Sequence, residues 1–358
     1  MRITFIVPSP ANSGGMQVVY KYATQLEKKG HTVQLVYPLH PYDLAAVPNS
    51  LKTRVKSFIR FIWYILKFVI LRGEKKFCDY VHWKPVYRVC DRLLPNADVV
   101  IATAWPTAYD VANLSSDKGN KFYFIQDFEI WNDRFLGEES YRLPLRKIAI
   151  ASWIVKKIHC VTGTENEDIP IVYNGIDFEM YDLVREYNTL SGARFLMLDH
   201  DLEKKGVRYG VEAFERIKAK YPNVTLTMFG VHRSKNVPTF ATYVQNPSRE
   251  KIAELYNTSD IFIYPSLNEG WGLTVIEAMA SGCAVIGTST GCLLELGEDR
   301  KNCLISNPGD VAEMEKNIVD ALENDTLFKT LISNGKKTAK GLGWESSVER
   351  FEQIITCK

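Results

Sequence analysis

The sequence lacks a charge imbalance, paired cysteines and a long apolar run. Its 44 Lys and Arg are set against 42 Asp and Glu, a formal net charge of +2. That balance gives no case for a nucleic-acid partner, which needs an excess of basic side chains for the phosphates. Seven cysteines (Cys78, Cys90, Cys160, Cys283, Cys292, Cys303, Cys357) are an odd number, scattered, with no Cys-x-x-Cys pair. They argue against a disulfide framework and a zinc site, and for reduced thiols in the cytoplasm. Residues 1–7 run straight into a strand before Pro8, without the longer apolar core and small-residue cleavage site of a secretory signal; a cytoplasmic location is the default expectation. The most apolar stretch, 58–71, is interrupted by Arg60 and Lys67 and is too short to span a bilayer. What is present, 46% hydrophobic and 24% charged residues over 358 positions, suits a globular protein of two ordinary domains.

The order of local patterns is strand, helix, strand. Residues 3–7 read as a buried strand, 9–15 as a turn-rich loop, 18–29 as a helix closed by Gly30, and 32–37 as the next strand. That opening implies a parallel sheet. Apolar runs follow at 99–102, 122–125, 159–162 and 171–173. A second series starts at 194–198 and continues at 225–229, 261–264 and 284–287. Two such series, joined by a polar link at 181–192, predict an α/β chain of two Rossmann-like domains facing a central cleft, residues 1–180 and 190–343. Ligands of such sheets bind outside the carboxyl ends of the strands.

The richest motif is 268–282, which carries Glu269 and Glu277 eight positions apart around a glycine-rich turn from strand to helix. Gly270 and Gly272 permit positive φ and close approach of a ligand. The helix that opens near Leu273 and Thr274 offers unpaired N–H groups and the positive end of its dipole to a phosphate. Glu269 then stands at the lip of the turn, and Glu277 about two turns into the helix. The pattern fits a nucleoside diphosphate-sugar, with one acid for sugar hydroxyls and the other for ribose hydroxyls. The plain alternative is a common strand-to-helix turn followed by a solvated glutamate.

Glu269-Gly270-Trp271-Gly272-Leu273, the Glu277-Ala278-Met279-Ala280 that follows, and Gly282 resemble the donor-site signature of retaining glycosyltransferases of family four, which have the GT-B fold. The run 246–266 and Tyr173-Asn174-Gly175-Ile176-Asp177 fit the same family. The resemblance implies a metal-independent hexosyltransferase with no cofactor. It also implies a nucleotide-sugar as donor and a glycan or lipid-linked hydroxyl as acceptor. The last helix, 344–358, is expected from it to cross back onto the first domain. Lys205, before Gly206, matches the lysine that grips the donor diphosphate and neutralises it as it leaves. His200 stands where the family has Arg; an imidazole offers one donor in place of a charged fork, and its pKa is expected to rise beside a diphosphate. Asp199-His200-Asp201 also has the Asp-x-Asp form of a metal site, but the accompanying motifs belong to the metal-independent fold, so no metal is expected.

In the first domain, Gly14 and Gly15 open a helix after the first strand and would present backbone N–H groups to the donor phosphate; otherwise they form an ordinary βα turn. Gln126-Asp127-Phe128-Glu129 takes the place of the family's His-Asp and resembles a branch that includes rhamnosyltransferases of bacterial surface polysaccharides. Asp127 is read either as orienting a sugar hydroxyl or as a helix N-cap. The Asn174-Gly175 turn is expected to be mainly structural. Residues 52–76 hold eight basic side chains against one acid, Glu74, around an apolar and aromatic stretch. They are read as a basic amphipathic helix docking on an anionic membrane surface, or as a helix buried in the first domain or against a partner. Two other functions stay open: a non-catalytic glycosyltransferase-like binding subunit, and a sugar-nucleotide epimerase of the same fold.

Overall fold

A computed structural model describes residues 1–10, 13–39, 42, 62, 82–181 and 192–357. The basic segment 52–76, apart from Ile62, and the link residues 182–191 lie outside the described residues. The chain divides into two compact units, Met1–Val172 with Val348–Lys358, and Tyr173–Ser347.

The first unit is built on six parallel strands: β1 (Arg2–Ile6), β2 (Thr32–Pro38), β3 (His82–Val86), β4 (Val99–Ala102), β5 (Asn120–Ile125) and β6 (Arg146–Ala149). Their order is β3-β2-β1-β4-β5-β6, with Ile3 opposite Val33 on one side and Val99 on the other. The central strands read as continuous apolar runs because helices cover both faces of a parallel sheet; all of β4 is buried. Pro85 is tolerated because β3 is an edge strand. The helix Gly14–Lys28 connects β1 to β2 and is capped by Ser13, whose Oγ accepts from the Met16 amide at 3.4 Å.

One expectation needs correction here. The run 159–162 is the end of the helix Ser152–Thr162, not a strand. Ile154, Ile158 and Thr162 are buried at helical spacing, and Gly163 closes the helix at φ 70°. Four apolar residues cannot distinguish the two periods on their own. The sheet is completed instead by β6, whose Arg146 and Lys147 disguise it; Lys147 Nζ is buried against Glu167 at 2.5 Å.

The second unit repeats the plan with β7 (Arg194–Leu198), β8 (Thr225–Gly230), β9 (Thr242–Gln245), β10 (Ile261–Tyr264), β11 (Ala284–Thr288) and β12 (Leu304–Ser306), in the order β12-β11-β10-β7-β8-β9. In each sheet the first strand lies beside the fourth, which is the doubly wound arrangement whose strand order reverses at that pair. Phe195, Met197, Phe214, Met228, Ile263, Ile286, Phe328 and Leu331 form one buried cluster. At the amino end of the switch pair, Arg194 binds buried Asp260 through its backbone amide, Nε and Nη2, each at 2.9 Å.

The last helix, Trp344–Thr356, contributes its residues from Val348 onward to the first unit. There Phe351 is fully buried against Phe5, Tyr22 and Phe124, and Glu352 meets His31 at 2.8 Å and Lys29 at 3.0 Å.

Candidate functional site

The carboxyl ends of β7 and β10 are adjacent, so the loops that follow them, 199–206 and 265–272, meet. Their backbones are laced together: the Lys204 carbonyl accepts from the Leu267 amide at 2.8 Å and from Asn268 at 3.2 Å. Gly206 has φ +63°, and a Cβ there would fall 1.9 Å from the Pro265 carbonyl oxygen, so only glycine fits. This contact fixes the register in which Lys205 and Glu269 form an ion pair, with 19% and 15% of their side chains exposed. Two of the residues singled out in the sequence are thereby brought together.

His200, on the same loop, accepts the Leu202 amide on Nδ1 at 3.0 Å. That bond puts the proton of the neutral ring on Nε2. Burial first, then the neighbouring Lys205, lowers its pKa from the ordinary histidine value. Protonating Nδ1 would set its N–H against that of Leu202. The cationic role expected beside a bound diphosphate would require the bond from the Leu202 amide to break. Asp199 is buried and accepts from the Ser234 amide at 2.8 Å and its hydroxyl at 2.6 Å. Its carboxylate pins the loop after β8, which accounts for one half of the Asp-x-Asp pattern; Asp201 is exposed.

Past Glu269, Gly272 is the N-cap of the helix Leu273–Ala280, at φ +84° and with no side-chain cap. A Cβ on Gly272 would lie 2.5 Å from the Tyr264 hydroxyl. Gly270 is buried but is not among the positive-φ glycines, so of the two glycines only Gly272 uses left-handed freedom. Leu273 and Thr274 open the first turn, where amide groups have no intrahelical acceptor. The Trp271 indole is directed inward and stacks on Tyr173, centroids 5.1 Å apart at 23°, while its carbonyl accepts from the Cys292 amide at 2.6 Å. Gly282, at φ +76°, ends the helix: its amide bonds Met279 and that of Cys283 bonds Ala278.

Glu277 is not a solvated helix residue. It is half-buried, and its carboxylate accepts from the hydroxyls of Tyr181 at 3.0 Å and Tyr256 at 3.1 Å. Burial raises its pKa above the ordinary glutamate value, and the two phenols counteract part of the rise. Neither tyrosine is apparent from the motif, because each comes from a helix distant in sequence. Asn174 is buried, and Gly175 serves the packing of the second unit: a Cβ on Gly175 would lie 2.6 Å from the Trp344 Cα, and the Ile176 amide bonds Leu342 at 2.8 Å.

In the first unit, Gly14 and Gly15 are exposed at the start of their helix, and Gly15 lies beside the Gln126 side chain. Asp127 Oδ1 accepts the Phe128 amide at 2.8 Å; the N-cap of the following helix, Arg134–Ser140, is Asp133 instead. The buried acid in this region is Glu129, which the sequence reading passed over. Glu129 Oε2 accepts the Trp105 amide at 2.6 Å and the Tyr123 hydroxyl at 2.7 Å, and its own amide donates to the Tyr141 hydroxyl at 2.6 Å. Burial pushes its pKa up to about 8. An acid flanked by Phe128, Ile130 and Trp131 was the available signal.

Residues 189–338 match the family of glycosyl transferases group 1. This group 1 region covers less than half of the chain and contains β7 to β12 with the Lys205–Glu269 pair and Glu277. Among curated proteins, an uncharacterised glycosyltransferase of Methanocaldococcus jannaschii is 26% identical over 191 residues, 51% of this chain and 52% of that protein. The capsular polysaccharide biosynthesis glycosyltransferase CapM of Staphylococcus aureus is 26% identical over 180 residues, 46% of this chain and 47% of that protein. The chain thus spans about half the length of these relatives. The structure of HepE from Anabaena, in complex with UDP and glucose, superposes with a TM-score of 0.71 at 14% identity, covering 99% of each chain. At that identity the likeness speaks for the fold: the chain has the GT-B fold of two Rossmann-like domains. Among the described residues no helix is long and apolar enough to cross a membrane.

Proposed function

We propose that the chain is a retaining, metal-independent glycosyltransferase that moves a sugar from a nucleoside diphosphate donor to a hydroxyl of a glycan or lipid-linked acceptor in surface polysaccharide synthesis. The observation that carries this reading is the Lys205–Glu269 pair at the strand-order switch of the second sheet, beside the uncapped start of the helix Leu273–Ala280. The region's match to glycosyl transferases group 1, the UDP and glucose bound by HepE, and the capsular role of CapM support it.

In this reading Lys205, the first-turn amides at Leu273 and Thr274, and the neutral Nε2–H of His200 stabilise the diphosphate as negative charge grows on it. Glu269 holds donor-sugar hydroxyls and orients Lys205; Glu277 takes the ribose. The bond from the anomeric carbon to the phosphate oxygen breaks while the acceptor oxygen bonds to the same face. The acceptor proton passes to the leaving phosphate oxygen. Gly14, Gly15 and Asp127 of the first unit are assigned to donor phosphate and sugar hydroxyls, and 52–76 to an anionic membrane surface on the cytoplasmic side.

The test is slow hydrolysis of UDP-, GDP- and dTDP-sugars without acceptor, followed by proton NMR in the presence of EDTA. Release of diphosphate with the sugar first appearing in the donor's anomeric configuration is expected. The inverted anomer would contradict retention, and binding without turnover of any donor, even with lipid-linked acceptor added, would favour a non-catalytic subunit.

A further inference from the structure

The Glu277 carboxylate is gripped from two directions. Tyr181 ends the short helix Phe178–Tyr181 and donates to Oε1; Tyr256, in the helix Arg249–Asn257, donates to Oε2. The two rings meet edge to face, centroids 6.0 Å apart at 73°. Tyr256 is fully buried, with Phe229 and Phe262 against its ring. Phenylalanine would fill the same volume at both positions, so only the hydroxyls distinguish these residues from core packing. One phenol on each oxygen still leaves a lone-pair site on each.

We infer that Tyr181 and Tyr256 are positioning residues that hold Glu277 ionised and fixed in rotation, so that its remaining lone pairs accept the hydroxyls of a nucleotide. The inference rests on the proposed role of Glu277 as the ribose contact. A carboxylate taken out of water tends to protonate, and a protonated carboxyl gives up acceptor capacity. Two hydroxyl donors oppose this by favouring the charged form. The other groups facing Glu277 are the guanidinium of Arg249, which also favours ionisation, and the carboxylate of Asp177, which opposes it. Behind Tyr256 lies the Cys283 thiol, which donates to the Tyr256 carbonyl at 3.2 Å. Between them the two phenols donate to both carboxylate oxygens, one to each. Removing either lets the carboxyl pKa climb further, so the acceptor is lost at a higher pH as pH falls.

The full chain is titrated with UDP, GDP and dTDP by calorimetry between pH 5.5 and 8.5, and the tightest is carried through wild type, Tyr181→Phe, Tyr256→Phe, Glu277→Gln and Glu277→Gln/Tyr256→Phe. Each Tyr→Phe change is expected to weaken binding about tenfold at pH 6 and less at pH 8.5, moving the acid limb up by about one pH unit, as for loss of one hydrogen bond to a charged group. In Glu277→Gln the part of the limb owed to Glu277 should vanish, leaving only that of the nucleotide's terminal phosphate, which titrates at about pH 6 in every variant, and Tyr256→Phe should add nothing. Wild-type affinity and limb in both Tyr→Phe variants would overturn the inference, as would a pH-independent loss that persists in the Gln background. If Glu277→Gln loses binding while neither Tyr→Phe variant does, positioning alone falls. If wild type binds none of the three nucleotides, the ribose contact falls and the inference with it. Circular dichroism checks folding; should Tyr256→Phe misfold, Tyr181→Phe, at the less deeply buried of the two positions, decides.

Discussion

Burial raises the Glu129 carboxyl although the Trp105 amide and the Tyr123 hydroxyl both donate to it. Neutral donors do not replace the hydration of a full charge in an apolar surround. The folded-state pKa, about 8, lies above the unfolded value near 4.5, so the folded chain binds the extra proton between those limits. The associated stability is fully present below pH 4.5 and is lost as pH rises through about 8, by up to about 1.4 kcal/mol per unit. Glu129→Gln, which imitates the protonated acid, should flatten that slope in denaturant unfolding at pH 5, 7 and 9. An unchanged slope would show that Glu129 does not carry the proton. Lys205 and Glu269 differ from this case: each has the other as counter-charge, and a diphosphate entering the site would share Lys205 rather than create a new charge balance.

At the scale of elements, the site depends on two loops meeting without room for a side chain. Gly206→Ala would add both the cost of a left-handed alanine, about 1–2 kcal/mol, and an overlap with the Pro265 carbonyl. Differential scanning calorimetry should show a lower melting temperature, and the displaced Lys205 should weaken nucleoside diphosphate binding at least tenfold; wild-type values for both would refute the contact. The central strands β1, β4, β5, β7, β10 and β11 were legible as apolar runs because they are buried on both faces. The short or charged edge strands were not: β6 begins Arg146-Lys147, β9 has no buried residue, and β12 has three residues. The Glu269 to Gly282 motif was legible because its glycines answer to local backbone demands. What remained hidden needed long-range contacts: the Asp199–Ser234 bonds, the phenols on Glu277 and the burial of Glu129 each join residues that no local pattern connects.

Over the whole molecule, one strand order occurs twice, and each sheet places a glycine-rich turn after a strand of its switch pair: Gly14 and Gly15 after β1, Gly270 and Gly272 after β10. The repeat carries unequal chemistry. The second unit supplies the Lys205–Glu269 pair, the uncapped helix start and the clamped Glu277, while the first supplies Gln126, Asp127 and the buried Glu129. The central claim is that the second unit holds a nucleoside diphosphate-sugar through Lys205. A thermal-shift screen of the chain against UDP, GDP, dTDP and their sugars, with and without EDTA, measures it directly, since a ligand that binds only the folded state raises its melting temperature. The account predicts stabilisation by one nucleotide class, unaffected by EDTA and lost in Lys205→Ala. No stabilisation by any nucleotide, or an equal shift in Lys205→Ala, would contradict it.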